Sequence, residues 1–263
     1  MTTSQSQPTP YPDVNAVMDL LLSGVRGILS DLFVGLYLQG SLASGDFDPL
    51  CSDIDFVVVT ADQVPDEMLP ALEAMHARIG ISGLEMATKL DGDYIPKQAL
   101  SGYDSAHAPY PHLGLDGHFA VEAGASDSIF QRHILRECGV VVAGPALRDW
   151  IEPVQPDDFR RAVRGVRDWW VTMADDPTRH TPEYQIHAVL TLCRSLYTLE
   201  HGTAVSKTVA ARWAQETVGE RWSALIEWAL TSRHDPQSNR LSETLDFVGY
   251  ALERGRFMPL ASR

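Results

Sequence analysis

Cysteine is scarce in this chain of 263 residues, which carries only Cys51, Cys138 and Cys193. An odd and scattered set predicts neither a disulfide framework nor a thiolate metal site, and it favours a reducing cytoplasm. Long hydrophobic runs are also lacking, since the longest, around Ile54 to Thr60, is far too short to span a bilayer. The polar start, MTTSQSQPTPYP, has no pattern typical of a secretory signal. We therefore expect a cytoplasmic protein that does not bind membranes.

Positive charge is in short supply. The chain has 21 lysines and arginines against 35 aspartates and glutamates, which gives a formal net charge of −14 at pH 7. Such a balance disfavours nucleic acid and anionic lipid as partners, because both carry negative charge themselves. It suits a small, cationic partner. No heptad seam is visible, so we expect a monomer.

The hydrophobic pattern changes along the chain. Before about residue 150, helical spacing alternates with short β-branched runs at 33–38 and 54–59, a further strand is expected over 83–90, and 91–126 is expected to be irregular. From Pro156 onward helical patterns dominate, over 157–174, 182–201, 206–217, 220–231 and 237–254. The sequence therefore predicts an α+β fold in three parts. These are a disordered leader over 1–12, a domain with a small mixed sheet over 13–153, and an all-helical bundle over 154–263.

The stretch that carries chemistry begins with Gly40-Ser41 and continues, after a short loop, with Ser52-Asp53-Ile54-Asp55. Side chains two residues apart on a strand share a face, so Asp53 and Asp55 are expected to converge at the start of the second strand. Two close carboxylates repel each other, and a hard divalent cation such as Mg²⁺ relieves that repulsion. A glycine turn with free N–H groups and the Ser41 hydroxyl can hold phosphate oxygens. The pattern therefore indicates a nucleoside triphosphate with its metal.

Glu85, on the strand expected over 83–90, supplies a third carboxylate. It is expected either to deprotonate an attacking hydroxyl or to complete a second metal site. The three acids together favour nucleotidyl transfer, in which a hydroxyl attacks the α-phosphate and pyrophosphate leaves.

The run GSLASGDFDPLCSDIDFVVV resembles the nucleotidyltransferase signature of the polymerase-β-like superfamily. Leu84–Thr88, VLTLCR at 189–194 and SKTVAARWA at 206–214 are further similar to the aminoglycoside 3''-adenylyltransferases that modify streptomycin and spectinomycin. The resemblance covers roughly residues 14–255. It implies a role for each of these residues: Asp53 and Asp55 hold Mg²⁺, Glu85 is the general base, and ATP is bound by Gly40, Ser41, Ser52, Arg194 and Lys207.

The acceptor side departs from the family pattern. Phe119 stands where the family has a loop tryptophan, and it is expected to offer an aromatic surface to the acceptor. Tyr184 stands where a carboxylate is expected, and the adjacent Glu183 is expected to substitute for it. His187 is also expected to contact the acceptor. The resemblance thus implies transfer of AMP from ATP to a hydroxyl of an aminoglycoside. Two alternatives stay open: the same chemistry on another metabolite, a protein or RNA, and a non-catalytic nucleotide-binding regulator.

Overall fold

The computed structural model of the protein describes residues 7–101, 109–123, 129–165, 170–171, 175–234 and 238–257. The chain divides into two compact units, Met1–Pro153 and Val154–Arg263. Within the described ranges, none of the helices has the length and apolar character that crossing a membrane requires.

The N-terminal unit contains a six-stranded mixed sheet. The strands are β1 (Phe33–Leu38), β2 (Ile54–Thr60), β3 (Leu90–Pro96), β4 (Pro109–Leu113), β5 (Phe119–Ala123) and β6 (Val140–Ala143). They lie in the order β5-β4-β3-β2-β1-β6. Strands β2 and β3 run parallel, and the other neighbouring pairs run antiparallel.

Helices cover both faces of this sheet. The helices of the unit are α1 (Pro12–Leu29), α2 (Gly40–Ser44), α3 (Leu69–Gly80), α4 (Lys97–Ser101) and α5 (Ile129–Cys138). Phe56, Val58 and Tyr94 pack on one face, in the same core as the buried residues of α1 and α3. Val57 and Ile95 point to the other face, where they share a core with Leu135 of α5. Because side chains alternate along a strand, each strand serves both cores.

The third strand differs from its prediction. The strand expected over 83–90 is wrong, since Glu85–Lys89 forms a short 3-10 helix and the strand is β3, Leu90–Pro96. Gly92 lies against β2 so closely that a Cβ atom there would meet the carbonyl oxygen of Phe56 at 2.2 Å. Asp91, Gly92 and Asp93 read locally as a loop, and the pairing of β3 with its neighbours overrides that local preference.

Two other predicted segments also differ. The stretch 91–126, expected to be irregular, contains β3, α4, β4 and β5. In the leader predicted over 1–12, Thr9 is buried, its hydroxyl donates to Asn15 Oδ1 at 2.8 Å, and α1 already begins at Pro12. Residues 1–6 of that leader lie outside the described residues.

The C-terminal unit is built from helices in the part of it that the structure describes. They are α6 (Pro156–Gly165), α7 (Pro182–His201), α8 (Lys207–Thr217), α9 (Ser223–Thr231) and α10 (Leu241–Phe257). Thr181 and Ser206 cap α7 and α8 by accepting hydrogen bonds from backbone N–H groups. Helix α7 has the predicted bounds, whereas the last part of the helix predicted over 157–174 falls partly outside the described residues. A mixed sheet followed by a helical unit confirms the predicted α+β class.

Candidate active site

Acidic side chains gather at the beginning of the two parallel strands. Asp53 immediately precedes β2 and Asp55 is its second residue, whereas Asp91 and Asp93 are the second and fourth residues of β3. Asp55 is the register partner of Asp91. Partners in neighbouring strands point to the same face of a sheet, so Asp53, Asp55, Asp91 and Asp93 lie on one face. This set of four carboxylates is called the acidic face below.

The glycine turn before β2 closes against the acidic face. Gly40 has φ +57°, and a Cβ atom there would lie 1.9 Å from Asp55 Oδ2. Glycine is therefore required twice, by the backbone conformation and by the close approach of the carboxylate. The backbone N–H of Gln39 also donates to the carbonyl oxygen of Asp55 at 2.9 Å. The structure thus brings the predicted residues Gly40 and Asp55 together.

The two predicted serines have different surroundings. Ser41 is half-buried in the turn, and its carbonyl oxygen accepts from Asp46 N–H at 3.0 Å. Ser52 is buried, and its hydroxyl accepts a hydrogen bond from the backbone N–H of Asp48 at 3.0 Å. Ser52 therefore shapes the loop that leads into Asp53.

Glu85 does not lie on a β-strand. It is exposed at the first position of the 3-10 helix Glu85–Lys89, so it does not lie on the strand that was expected to carry it. The end of that 3-10 helix does reach the acidic face, since Lys89 Nζ lies 3.9 Å from Asp53 Oδ1. The carboxylate on the neighbouring strand opposite Asp55 is that of Asp91. The role predicted for Glu85 stays a prediction.

On the acidic face, the Asp91 carboxylate binds a proton more readily than an ordinary aspartate does. Burial raises the pKa of Asp91 from 3.8 to about 6, His112 opposes that rise, and the negative charges of Asp93, Asp53 and Asp116 add to it. A carboxylate with a pKa near neutrality can accept a proton from an alcohol more effectively than an ordinary one. The geometry and the charge therefore mark Asp91 as a candidate base.

Asp91, Asp93 and His112 were missed by sequence reasoning. The available signal was the second Asp-x-Asp pattern, Asp91-Gly92-Asp93, which stands before an apolar Tyr94-Ile95 just as Asp53-Ile54-Asp55 stands before Phe56-Val57. That repetition indicates a second strand that carries acids on one face.

Phe119 packs away from the acidic face. Its ring centroid lies 5.5 Å from that of His76 and 5.9 Å from that of Tyr94, in the core that includes α1 and α3. Its register partner Leu113 belongs to the same core. This placement supports a packing role for Phe119 rather than a surface for a ligand beside Asp55.

The C-terminal unit brings together three predicted residues, which are His187 and Arg194 of α7 and Lys207 of α8. Glu183, His187 and Arg194 are four and seven residues apart, so they follow one side of α7. Lys207 is the first residue of α8, and its Nζ lies 3.5 Å from His187 Nδ1. Desolvation, with the positive charges of Lys207 and Arg194, lowers the pKa of His187. His187, predicted on the acceptor side, thus lies beside a residue predicted to bind ATP. His187, Arg194 and Lys207 are called the basic cluster below.

Comparison with known proteins agrees with this division. The family model of a nucleotidyltransferase domain matches residues 22–97. The family model of the C-terminal domain of aminoglycoside adenylyltransferase matches residues 149–253. Curated aminoglycoside (3'') (9) adenylyltransferases from Klebsiella pneumoniae and Escherichia coli are 24% and 25% identical to this chain, with 90% of this chain and 94% of each relative covered.

A solved structure shares the fold. The spectinomycin adenyltransferase from Enterococcus faecialis, solved with ATP and spectinomycin, superposes with a TM-score of 0.70 at 18% identity, covering 90% of this chain and 98% of that one. With a nucleotidyltransferase domain followed by the C-terminal domain of aminoglycoside adenylyltransferases, this chain is an ATP-dependent nucleotidyltransferase similar to the aminoglycoside adenylyltransferases over most of its length.

Proposed function

We propose that the protein transfers AMP from ATP to a hydroxyl group of an aminoglycoside antibiotic of the streptomycin or spectinomycin type, and releases pyrophosphate. The observation that carries this proposal is the alignment of Asp53, Asp55 and Asp91 at the start of two parallel strands, beside the Gly40 turn. The names of the curated relatives and of the solved structure support the choice of acceptor. Such a reaction would make the protein an antibiotic-resistance enzyme.

Asp53 and Asp55 are the proposed Mg²⁺ ligands. Carboxylate oxygens are the donors that Mg²⁺ prefers, and the two side chains are half-buried on one face. The absence of any side chain at Gly40 leaves the Asp55 carboxylate accessible where a Cβ atom would otherwise collide with it. Bound Mg²⁺ would supply neutralising charge to the triphosphate and to the leaving pyrophosphate.

Asp91 is the proposed general base, in place of Glu85. It takes the proton of the acceptor hydroxyl as the hydroxyl oxygen bonds to the α-phosphorus, and the bond between that phosphorus and the bridging oxygen of pyrophosphate breaks. The raised pKa of Asp91 supports this role, since a base works best when its pKa lies near the working pH.

The phosphates are proposed to interact with the Gly40-Ser41 turn and with the basic cluster. Arg194 and Lys207 supply positive charge that stabilises the pyrophosphate as it leaves. His187 is neutral beside them, because burial, together with their charges, lowers its pKa, so it offers a hydrogen bond rather than a third charge. Ser52 is proposed to act by holding the loop before Asp53.

Glu183 is the proposed contact for a cationic acceptor. It is exposed in the first turn of α7, on the same side as His187. The net charge of −14 favours approach of a polycationic antibiotic over approach of a nucleic acid.

The deciding experiment measures pyrophosphate release from ATP and Mg²⁺ with streptomycin, spectinomycin and other aminoglycosides supplied one at a time. Mass spectrometry of the antibiotic then identifies an added adenylyl group. We expect release that depends on one of these acceptors and that falls by about a thousandfold or more in Asp53→Asn, because the charged metal ligand is lost.

Two outcomes would redirect the proposal. If no antibiotic supports pyrophosphate release while ATP still binds in an Mg²⁺-dependent way, the antibiotic acceptor is contradicted. Nucleotidyl transfer to another molecule would then remain. Failure to bind ATP at all would overturn the proposed reaction itself.

A further inference from the structure

His112 of β4 stands among carboxylates that come from two neighbouring strands. Its register partner across the β3–β4 pair is Asp93, and its Nδ1 lies 2.9 Å from Asp93 Oδ1. Its Nε2 lies 3.9 Å from Asp91 Oδ1 and 3.9 Å from Glu122 Oε1 on β5. One imidazole thus connects the buried end of the acidic face with two more exposed acids.

The contact with Asp93 fixes the orientation of the ring. Asp93 is 1% exposed, and a carboxylate can only accept a hydrogen bond, so Nδ1 carries the proton and donates it to Asp93. The opposite nitrogen, Nε2, is then directed at Asp91 and Glu122. In a neutral ring Nε2 would present a lone pair to two negative oxygens, which is unfavourable. A protonated ring presents an N–H to them instead.

The surrounding charges favour the protonated ring. The hydrogen bond to Asp93 raises the pKa of His112, partial burial opposes that rise, and the negative charges of Asp93, Asp91 and Glu122 add to it. The groups that act on Asp91 in turn are His112, Asp93, Asp53 and Asp116. Among the described groups that act on the pKa of Asp91, His112 is the one that lowers it.

We propose that His112 is a positioning residue for the general base: anchored to Asp93 through Nδ1, it places Nε2 beside the Asp91 carboxylate and keeps that carboxylate aimed at the acceptor hydroxyl. This inference rests on the function proposed above, because it assigns the base of that reaction to Asp91. It adds a residue that touches neither ATP nor the acceptor, and it gives the buried Asp93 a purpose.

The first test needs no acceptor. The imidazole signals of His112 are titrated by NMR in the metal-free full-length protein and in Asp91→Asn. We expect the pKa of His112 to fall by about one unit in Asp91→Asn, since an opposite charge within 4–6 Å is removed. An unchanged His112 pKa would overturn the proposal even if no acceptor were known.

The second test uses kinetics with the acceptor that supports turnover. His112→Asn retains an amide near the position of Nδ1, so it can keep the anchor to Asp93, but nothing faces Asp91. We expect kcat to fall about 10- to 100-fold, with KM for ATP within about threefold, because a misplaced base slows the proton transfer without weakening nucleotide binding. The acid limb of the pH profile of kcat/KM is expected to move up by about one pH unit.

His112→Gln separates the two parts of the role. Its amide reaches towards the position of Nε2 and can hold Asp91 without supplying a charge. We expect it to recover most of kcat above the acid limb while the limb stays displaced. The matched control, His118→Asn, should leave kcat and the pH profile unchanged.

Two results are kept apart by this design. A wild-type protein that is active while His112→Asn matches it in kcat and in pH profile would overturn the role of His112 and leave the proposed function intact. A wild-type protein inactive with every acceptor would contradict the proposed function, and the NMR titration would still decide whether His112 and Asp91 act as a pair.

Discussion

The two units gather opposite charges by different means. In the N-terminal unit, four carboxylates meet because β2 and β3 lie in register and each carries an acid at alternate positions. In the C-terminal unit, basic side chains meet because α7 presents residues of one side to the beginning of α8. Strand alignment concentrates negative charge, and helix packing concentrates positive charge. The comparison teaches that strand register and helix packing are two separate ways to concentrate charge of one sign.

The largest expected effect comes from changing the acids of the N-terminal unit one at a time. Asp91→Asn should lower kcat by about 10²- to 10⁴-fold, since the candidate base is removed. Glu85→Gln, on the exposed 3-10 helix, should stay within about twofold. Steady-state kinetics with saturating ATP measures both. A severe loss in Glu85→Gln with normal turnover in Asp91→Asn would reverse the assignment.

The corresponding change in the C-terminal unit should affect binding more than turnover. Lys207→Gln should raise KM for ATP by about 10- to 100-fold, because a charge-assisted contact to phosphate is lost. Arg212→Gln is the matched control, since Arg212 lies on the same helix but pairs with Glu227. Equal effects of the two variants would show that general charge, and not the basic cluster, matters.

Glycine variants in the N-terminal unit sharpen the account of the Gly40 turn. Gly40 and Gly45 both have positive φ. A Cβ atom added at Gly40 would collide with Asp55, whereas one added at Gly45 would have no atom within 4 Å. Gly45→Ala should cost about 1–2 kcal/mol of unfolding free energy, the price of the left-handed conformation. Gly40→Ala should cost clearly more and displace Asp55, so Mg²⁺-dependent activity should also fall. Urea denaturation measures the first effect, and equal stabilities would contradict the close approach.

The smallest expected effect is a gain in stability. The pKa of Asp91 is raised to about 6 in the folded chain, above its usual 3.8, so the folded state binds more protons between these values and loses stability as pH rises through that range. Asp91→Asn removes this loss and should stabilise the protein by about 1 kcal/mol at pH 7, after allowance for solvent exposure. At pH 4 the gain should vanish. Urea midpoints at both pH values test this, and a destabilised variant at pH 7 would contradict it.

The units also differ in how much their sequences reveal. Helix α7 has the predicted bounds 182–201, because a proline after Thr181 starts it, Gly202 ends it, and its apolar spacing is regular. Strand β3 was placed too early, because Glu85, Met86 and Ala87 alternate as a strand would, whereas Asp91-Gly92-Asp93 reads as a loop. Helical spacing is a local property, but the partner of a strand lies far away in sequence.

The candidate site shows the same limit. Gly40, Asp53 and Asp55 could be predicted because their motif is contiguous and its chemistry is specific. Asp91 and His112 could not be predicted with the same reasoning, because their roles depend on which residues lie opposite them across β2, β3 and β4. Phe119 was placed by its neighbours in sequence, and the alternation along β5 turned it to the opposite face.

The parallel pairing of β2 with β3 has a consequence for the order of assembly during synthesis. Strands β1 and β2 are antiparallel neighbours, but parallel strands need a crossover, which here runs through α3. Strand β6, more than a hundred residues after β1, then completes the edge beside it. The acidic face therefore stays unfinished on the ribosome until β3 and β4 have emerged. A nascent chain truncated before residue 90 should carry the glycine turn and both aspartates of β2 without any ability to retain a nucleotide.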